Sequence, residues 1–402
     1  MNYLADKSYL AVKPQNAPGT PTIPDKFIPL ISESIRVNPN FAADRRMKGL
    51  DWKSDELLKG ARMIEGDLVV YADADALAHI LNMLYEKTGT TGNASDGYTH
   101  SFAPGEGQSY SIEISRGAFA QRIWGVRADN LKLEFQDNKM VATVSIKALG
   151  QFYTASLAVA LTGPGMTSAV LSTNYDLRPA DGLKIGDIIK IGSVNVTLTS
   201  INADGKTVGF ISTAITASVG DPIFLVAQTP TYGNDREPFY FGNSLAGVGA
   251  DETAASAAAA AKATATPCYN LSTNLKNNLL DAPASGSTGP SVLMNQVKEA
   301  DVELSRLFEN PTQYQKWIEF VKQAITVIAT GRFIKTNLTT WEKLTIKYYK
   351  VKLLTNEEPL EIGQYIFDKQ KFEALYDSGD AKAVEIELVD RVDGADLVNT
   401  ES

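Results

Sequence analysis

The sequence carries two histidines, His79 and His100, and a single cysteine, Cys268. Triads, zinc sites and most acid–base schemes need an imidazole held by a specific partner, so such chemistry has few places to reside. His79 lies between Ala78 and Ile80 in a helical pattern, and His100 lies in Tyr98-Thr99-His100-Ser101-Phe102, a strand entry. Both are expected to be surface or boundary groups without a catalytic task. A lone cysteine excludes an internal disulfide and any cysteine-cluster metal site, and Cys268 is expected to be a small buried hydrophobe.

Weaker motifs resolve in the same direction. Gly242-Asn243-Ser244-Leu245-Ala246 echoes a nucleophile elbow, but its second glycine is displaced and no strand-to-helix setting follows. Gly105-Glu106-Gly107 lacks dinucleotide-loop spacing, and Asp73-Ala74-Asp75 lacks the longer oxygen pattern of a calcium loop. Capping a helix explains those two carboxylates more simply. Sequons begin at Asn93, Asn195, Asn270 and Asn337 and are expected to be coincidental. Carboxylate-only chemistry such as glycoside hydrolysis remains formally open, but no sequence feature picks out a pair. The expectation is a chain without catalytic, cofactor-binding or metal-binding residues, and not an enzyme.

The elements that would position any site follow from composition and periodicity. The 402 residues suffice for two or three domains. No apolar run reaches the length of a membrane-spanning helix. Met1–Asp6 lacks the basic and apolar regions of a signal peptide, so synthesis in a cytoplasm without general secretion is expected. A formal net charge of −9 argues against tight nucleic-acid binding, yet suits a surface past which nucleic acid must slide.

Pro14, Pro18, Pro21, Pro24 and Pro29 predict an extended N-terminal arm over 1–30, either a mobile tail or a strap onto a neighbour. Period-two alternation then dominates. Tyr110, Ile112 and Ile114 share one face; Leu131, Leu133 and Phe135 run into an Asp137-Asn138 turn, and Met140, Ala142, Val144 and Ile146 return. Val384, Ile386 and Leu388 repeat the pattern. Leu77, Ile80, Leu81 and Leu84 form a helical stripe that starts at Asp73 and Asp75 and is followed by Gly89. Tyr314, Trp317, Ile318 and Val321 have the same spacing, with Asn310 and Pro311 at the start.

The matching stripes indicate a duplication. Ile31–Arg36 resembles Leu271–Lys276, 240 residues on; Glu65–Val70 resembles Glu299–Leu304, 234 residues on; and the helices are offset by 237. Between the halves, 173–232 reads as a small inserted β-barrel or sandwich, with alternating strands around an Ala203-Asp204-Gly205 turn. An Ala-rich run from Ala254 to Ala265 suits a short helix, and Pro283–Pro290 a flexible loop; both fall in a loop over 249–291.

The succession from Gly97-Tyr98-Thr99-His100-Ser101-Phe102 through Ser109–Ile114 and Gly125–Phe135 to Val141–Ile146 resembles the tail tube proteins of long-tailed bacteriophages. The similarity covers 27–155 well and 265–392 more loosely, and rests on the order of degenerate motifs. It implies a mainly β fold, a sandwich with one flanking helix per repeat. Two tandem tube-like domains, at 31–172 and 233–402, would carry the inserted module. It implies a structural virion protein of the tail, made in the host cytoplasm. Its sheets would join edge to edge into rings that stack as the conduit for DNA ejection. The duplication fits the fused variant that forms trimeric rings with pseudo-sixfold symmetry; a hexamer of single domains is the alternative. A non-contractile (siphovirus) tail is expected, with the insert outside the tube.

Implied partners are the chain itself, the tape measure protein inside the tube, and the tail terminator and distal tail proteins at its ends. DNA would pass without sequence-specific binding, and no membrane is involved. The arm, or the loop from Arg45 to Arg62, would lock one ring to the next. The competing expectation is another virion or surface β-protein that binds host carbohydrate through the insert. That reading calls for clustered aromatics, whereas Trp52, Trp124, Trp317 and Trp341 are scattered.

Overall fold

Alternating apolar and polar residues leave most of the chain with one buried and one solvated strand face. The computed structural model is accordingly mainly β, with three α-helices among the described residues. It describes residues 8–38, 42–43, 57–58, 62–117, 119–172, 178–233, 236–283, 289–308, 312–334, 340–357 and 366–398. No described helix is long and apolar enough to cross a membrane.

The first repeat begins with β1 (Tyr9–Pro14), β2 (Lys26–Ile28), β3 (Leu30–Glu33) and β4 (Arg36–Asn38). A two-residue pair, β5 (Ala42–Ala43) and β6 (Leu57–Leu58), precedes β7 (Met63–Tyr71) and the helix α1 (Ala74–Leu84). A hairpin, β8 (Glu86–Asn93) and β9 (Gly97–Ala103), leads to β10 (Tyr110–Ser115), β11 (Ala120–Gln136), β12 (Lys139–Ala148) and β13 (Gly150–Phe152). The long strand β11 serves two layers. Its first half pairs with β10 and β13, and β10 pairs in turn with β1; its second half pairs with β12, which reaches β3 and β4 through β7. Asp137 and Asn138, both left-handed, make the β11–β12 turn as their types dictate.

A six-stranded closed barrel follows: β14 (Ala155–Leu157), β15 (Leu161–Ser172), β16 (Ile188–Ile191), β17 (Val194–Ile201), β18 (Thr207–Ala217) and β19 (Pro222–Leu225). Pairing runs β14–β15–β18–β17–β16–β19 and back to β14. Leu157, Leu171, Ile189, Leu198, Phe210 and Ile223 fill a core of its own. The barrel takes in β14 and β15, so it starts before residue 173, where the sequence reading places its boundary. Weak alternation in Leu161–Ser172, which includes Gly163, Pro164 and Gly165, hides that strand.

The second repeat contains β20 (Ser244–Gly249), α2 (Glu252–Ala259), β21 (Asn270–Lys276), a side hairpin of β22 (Leu280–Pro283) and β23 (Pro290–Met294), and β24 (Glu299–Leu307). The helix α3 (Thr312–Ile318) precedes β25 (Gln323–Phe333), β26 (Trp341–Glu357), β27 (Phe367–Ala374) and β28 (Val384–Asp390). Its pairings reproduce those of the first repeat. β20–β25–β26–β28 corresponds to β1–β10–β11–β13, and β21–β24–β27–β26 to β3/β4–β7–β12–β11. The register corresponds too: Arg36 faces Glu65 as Lys276 faces Glu299, and Glu33 faces Leu68 as Thr273 faces Val302. Both repeats share one hydrophobic core.

Several local expectations change. The N-terminal segment is no free arm: Tyr9, Leu10, Ala11 and Val12 are buried in β1, because apolar residues flank the prolines and pair with β10. The helix α1 is buried all round, not along one stripe, since its polar-side residues Ala78, His79 and Asn82 are covered as well. Asp73 caps its start, accepting from the Ala76 amide. It ends at Leu84, and Gly89 lies in β8. The Ala-rich helix is α2, seated on β20; a Cβ on Gly247 would come 2.1 Å from the Ala255 carbonyl oxygen. The helix α3 stops at Ile318, so Val321 lies beyond it; Asn310, Pro311 and most of the expected 283–290 loop and 45–62 loop fall outside the described residues.

Candidate functional site: junctions and open ends of the repeats

The two histidines prove to be buried, which corrects their expected surface or boundary placement. His79 Nδ1 lies 3.3 Å from the Tyr110 hydroxyl, and burial pulls its pKa down to about 3. Asn82 donates to the same hydroxyl at 2.9 Å and to the Leu397 carbonyl at 2.7 Å, so α1 is closed over by the segment that follows β28. His100, in mid-β9, has Nδ1 2.9 Å from Thr90 Oγ1 and Nε2 2.9 Å from the Val392 carbonyl and 3.2 Å from Asp390 Oδ1. Burial pushes the Asp390 carboxyl up to about 6. Thr, His and Asp thus stand in line, but both ring nitrogens are spent on cross-linking β8, β28 and the chain beyond it.

The remaining candidates are held by local contacts. Cys268 is half-buried against the core, with burial raising its thiol pKa. The Ser244 hydroxyl donates to the Tyr240 carbonyl at 3.0 Å. Glu113 and Asp187 flank Arg122, at 2.8 and 2.5 Å, with all three side chains buried. Burial disfavours the guanidinium charge, but Asp187 and then Glu113 outweigh it and raise the Arg122 pKa. Tyr9 donates to Glu113 at 2.6 Å, and Gln228 holds both. This network ties the barrel, through Asp187, to β10, β11 and β1. It fixes the insert on its host, and no sequence pattern announced it because its members are 9, 113, 122, 187 and 228.

Sheet pairing across the repeats is the other polar feature. The outer edge of β11 takes β21, with Glu134 facing Ser272, Lys132 facing Asn274 and Asn130 facing Lys276. The first repeat also lends β9 to β28, from Ile386–Phe102 to Asp390–Tyr98. Buried Asn277 locks the junction by donating to the carbonyls of Leu84 (2.5 Å) and Ala128 (3.1 Å). Arg127 reaches Glu106, the Leu293 carbonyl and Asn295 from the same strand.

No family model matches this chain, and no curated protein is significantly similar to it.

The junction leaves a mismatched pair of ends. In the second repeat, β26 takes β25 and β28 along its first half and β27 along its second. Over Lys352–Glu357, the edge opposite β27 pairs with no strand among the described residues. In β11 that position is where β21 docks. Beside it Tyr314 (43%) and Ile318 (54%) of α3, Phe320 (66%) and Val321 just after it, and Leu354 of β26 are exposed, whereas α1 is covered. Trp317 Nε1 donates to the Leu354 carbonyl at 3.1 Å, on that edge. At the opposite end, β3 and β4 pair only with β7 among the described residues, and Ile31 is exposed. A charged cleft of about 360 Å³ beside β4 sets Arg36 and Lys147 among Glu65, Asp67 and Asp129.

Proposed function

We propose that this chain is a structural subunit that assembles with copies of itself into a hollow ring, and that it serves as a tail tube protein of a long-tailed bacteriophage. The observation that carries the reading is the duplication joined head to tail by sheet pairing, with complementary ends that take no further strand among the described residues. A head-to-tail contact between unlike surfaces closes into a ring if its rotation permits, or continues as a filament if not. Exposed strand edges are hazards in a lone protein, and pairing them between subunits removes the hazard.

Three chains would supply six repeats around a ring, and stacked rings would form the conduit for DNA. The charge of −9 suits a lumen that repels phosphate. The barrel, held by Arg122, would project outward. Its exposed apolar groups Ile185, Ile188, Ile211 and Val219 are aliphatic, and the one aromatic cluster beside it among the described residues, Tyr153, Phe119 and Phe224, packs edge-on or tilted and not as a stack. The tape measure, terminator and distal tail proteins are the proposed partners.

Negative-stain electron microscopy with mass measurement in solution tests this. Rings or tubes with three chains per turn are expected. Six chains would keep the tube and remove the fused-repeat arrangement. A monomer at every concentration that also fails to join tubes seeded by an initiator complex would end the reading.

A further inference from the structure

We propose that the β26 edge over Lys352–Glu357, with the uncovered face of α3, docks the β3–β4 edge of a second copy of this chain. The proposal rests on the self-assembly reading and adds the surfaces, their polarity and their register.

The internal junction is the template. Within one chain the pairing Ser272–Glu303–Lys371–Thr355 crosses β21, β24, β27 and β26. Its counterpart Ser32–Val69–Thr143–Lys132 crosses β3, β7, β12 and β11. The two repeats therefore correspond pair by pair at these positions, with a one-residue bulge at Leu354 of β26, where β11 has its own between Ala128 and Asn130, and a further shift between Leu30 and Ser32 of β3. Lys132 and Glu134 then correspond to Thr355 and Glu357, and Asn274 and Ser272 to Ser34 and Ser32. Since Glu134 faces Ser272 and Lys132 faces Asn274, Glu357 of one copy faces Ser32 of the next, and Thr355 faces Ser34. All four of these residues are exposed.

Phe320 is an independent sign. It follows α3 at φ +54°, a left-handed conformation that suits glycine or asparagine and strains a bulky side chain. Its ring is nonetheless exposed, with the Lys352 ammonium 4.5 Å from the ring centre. A phenylalanine kept at a position that favours glycine, and left in solvent, fits a contact made only in the assembly. The covered counterpart α1 packs against β26 and β28 of the second repeat, which shows what a neighbour does for such a helix.

The test uses the full chain carrying Cys268→Ser. Protein with Ser32→Cys is mixed with protein carrying Glu357→Cys and oxidised mildly, and a second mixture pairs Ser34→Cys with Thr355→Cys. A disulfide-linked dimer is expected in at least one mixture and in neither single variant alone. Oligomers seen by mass with no mixture-specific dimer from either pair would overturn this docking while leaving self-assembly standing. Absence of any oligomer, seeded or not, would remove both. Phe320→Gly relieves the backbone, so folding should persist while self-association weakens about tenfold, as for loss of one buried aromatic anchor. Unchanged association in that variant would overturn the role given to α3.

Discussion

Lys276 on β21 reaches Glu299 on β24 at 2.9 Å, and Arg36 faces Glu65 at the corresponding place in the other repeat. Two cation–carboxylate positions kept in register, 240 and 234 residues apart, tie the repeats together more firmly than general likeness of strands would. The pairs lie near the surface, where one is worth under about 1 kcal/mol, so their value here is as a marker of register.

The barrel root should be sensitive to loss of its cation. Arg122→Ala leaves Glu113 and Asp187 buried without their partner, and a cost of about 3–5 kcal/mol is expected. Urea unfolding followed by tryptophan fluorescence measures it. A change under 1 kcal/mol would mean that water reaches the root.

Packing of α2 on β20 depends on the absence of a side chain. Gly247→Ala drives a methyl into the Ala255 carbonyl and the Ala259 amide, so destabilisation of about 1–3 kcal/mol is expected. Thermal unfolding reports it, with Gly242→Ala, where nothing lies within 4 Å, as the control.

Three buried carboxyls make an unusual pH signature. Burial raises Asp73 and Asp390 to about 6 and Glu342 to about 7, the last against the ion pair with Arg332. A raised carboxyl contributes stability that is complete below its unfolded pKa and lost as pH climbs through the folded value. These groups should therefore erode stability between about pH 4 and pH 7, with a plateau above. Glu342→Gln should flatten part of that slope in urea titrations at successive pH values. A slope that steepens instead would contradict the burial-dominated account.

Leu397 is buried and its carbonyl accepts from Asn82, although it lies beyond the last strand. Leu397→Ala should cost about 2–5 kcal/mol, and amide exchange in α1 should speed up by a comparable free energy. Normal protection of α1 in that variant would show that other groups cover the helix.

Much of this architecture is legible in the chain itself. Alternation located β10, β11, β12 and β28, Asp137-Asn138 located the turn between β11 and β12, and the two aligned segments marked β3, β4 and β7 as counterparts of β21 and β24. What escaped is non-local. β1 is short and followed by prolines, so only its partner β10 reveals it. The burial of His79 and Asn82 depends on residues more than 300 positions away. The early end of α3 reflects Phe320 turning left-handed, a choice that propensity disfavours. The root network joins five residues from separate segments, and neither spacing nor composition brings them together.

The closure of α1 by Leu397, and of β9 by β28, has a consequence for how the protein is made. The first repeat emerges from the ribosome with an apolar helix and a hairpin edge, that of β9, that stay open until nearly the whole second repeat has been synthesised. A chain interrupted anywhere before that point presents sticky, unfinished surfaces. Synthesis through Leu397 thus acts as a check of its own, because only a chain that reaches this residue can hide its first helix.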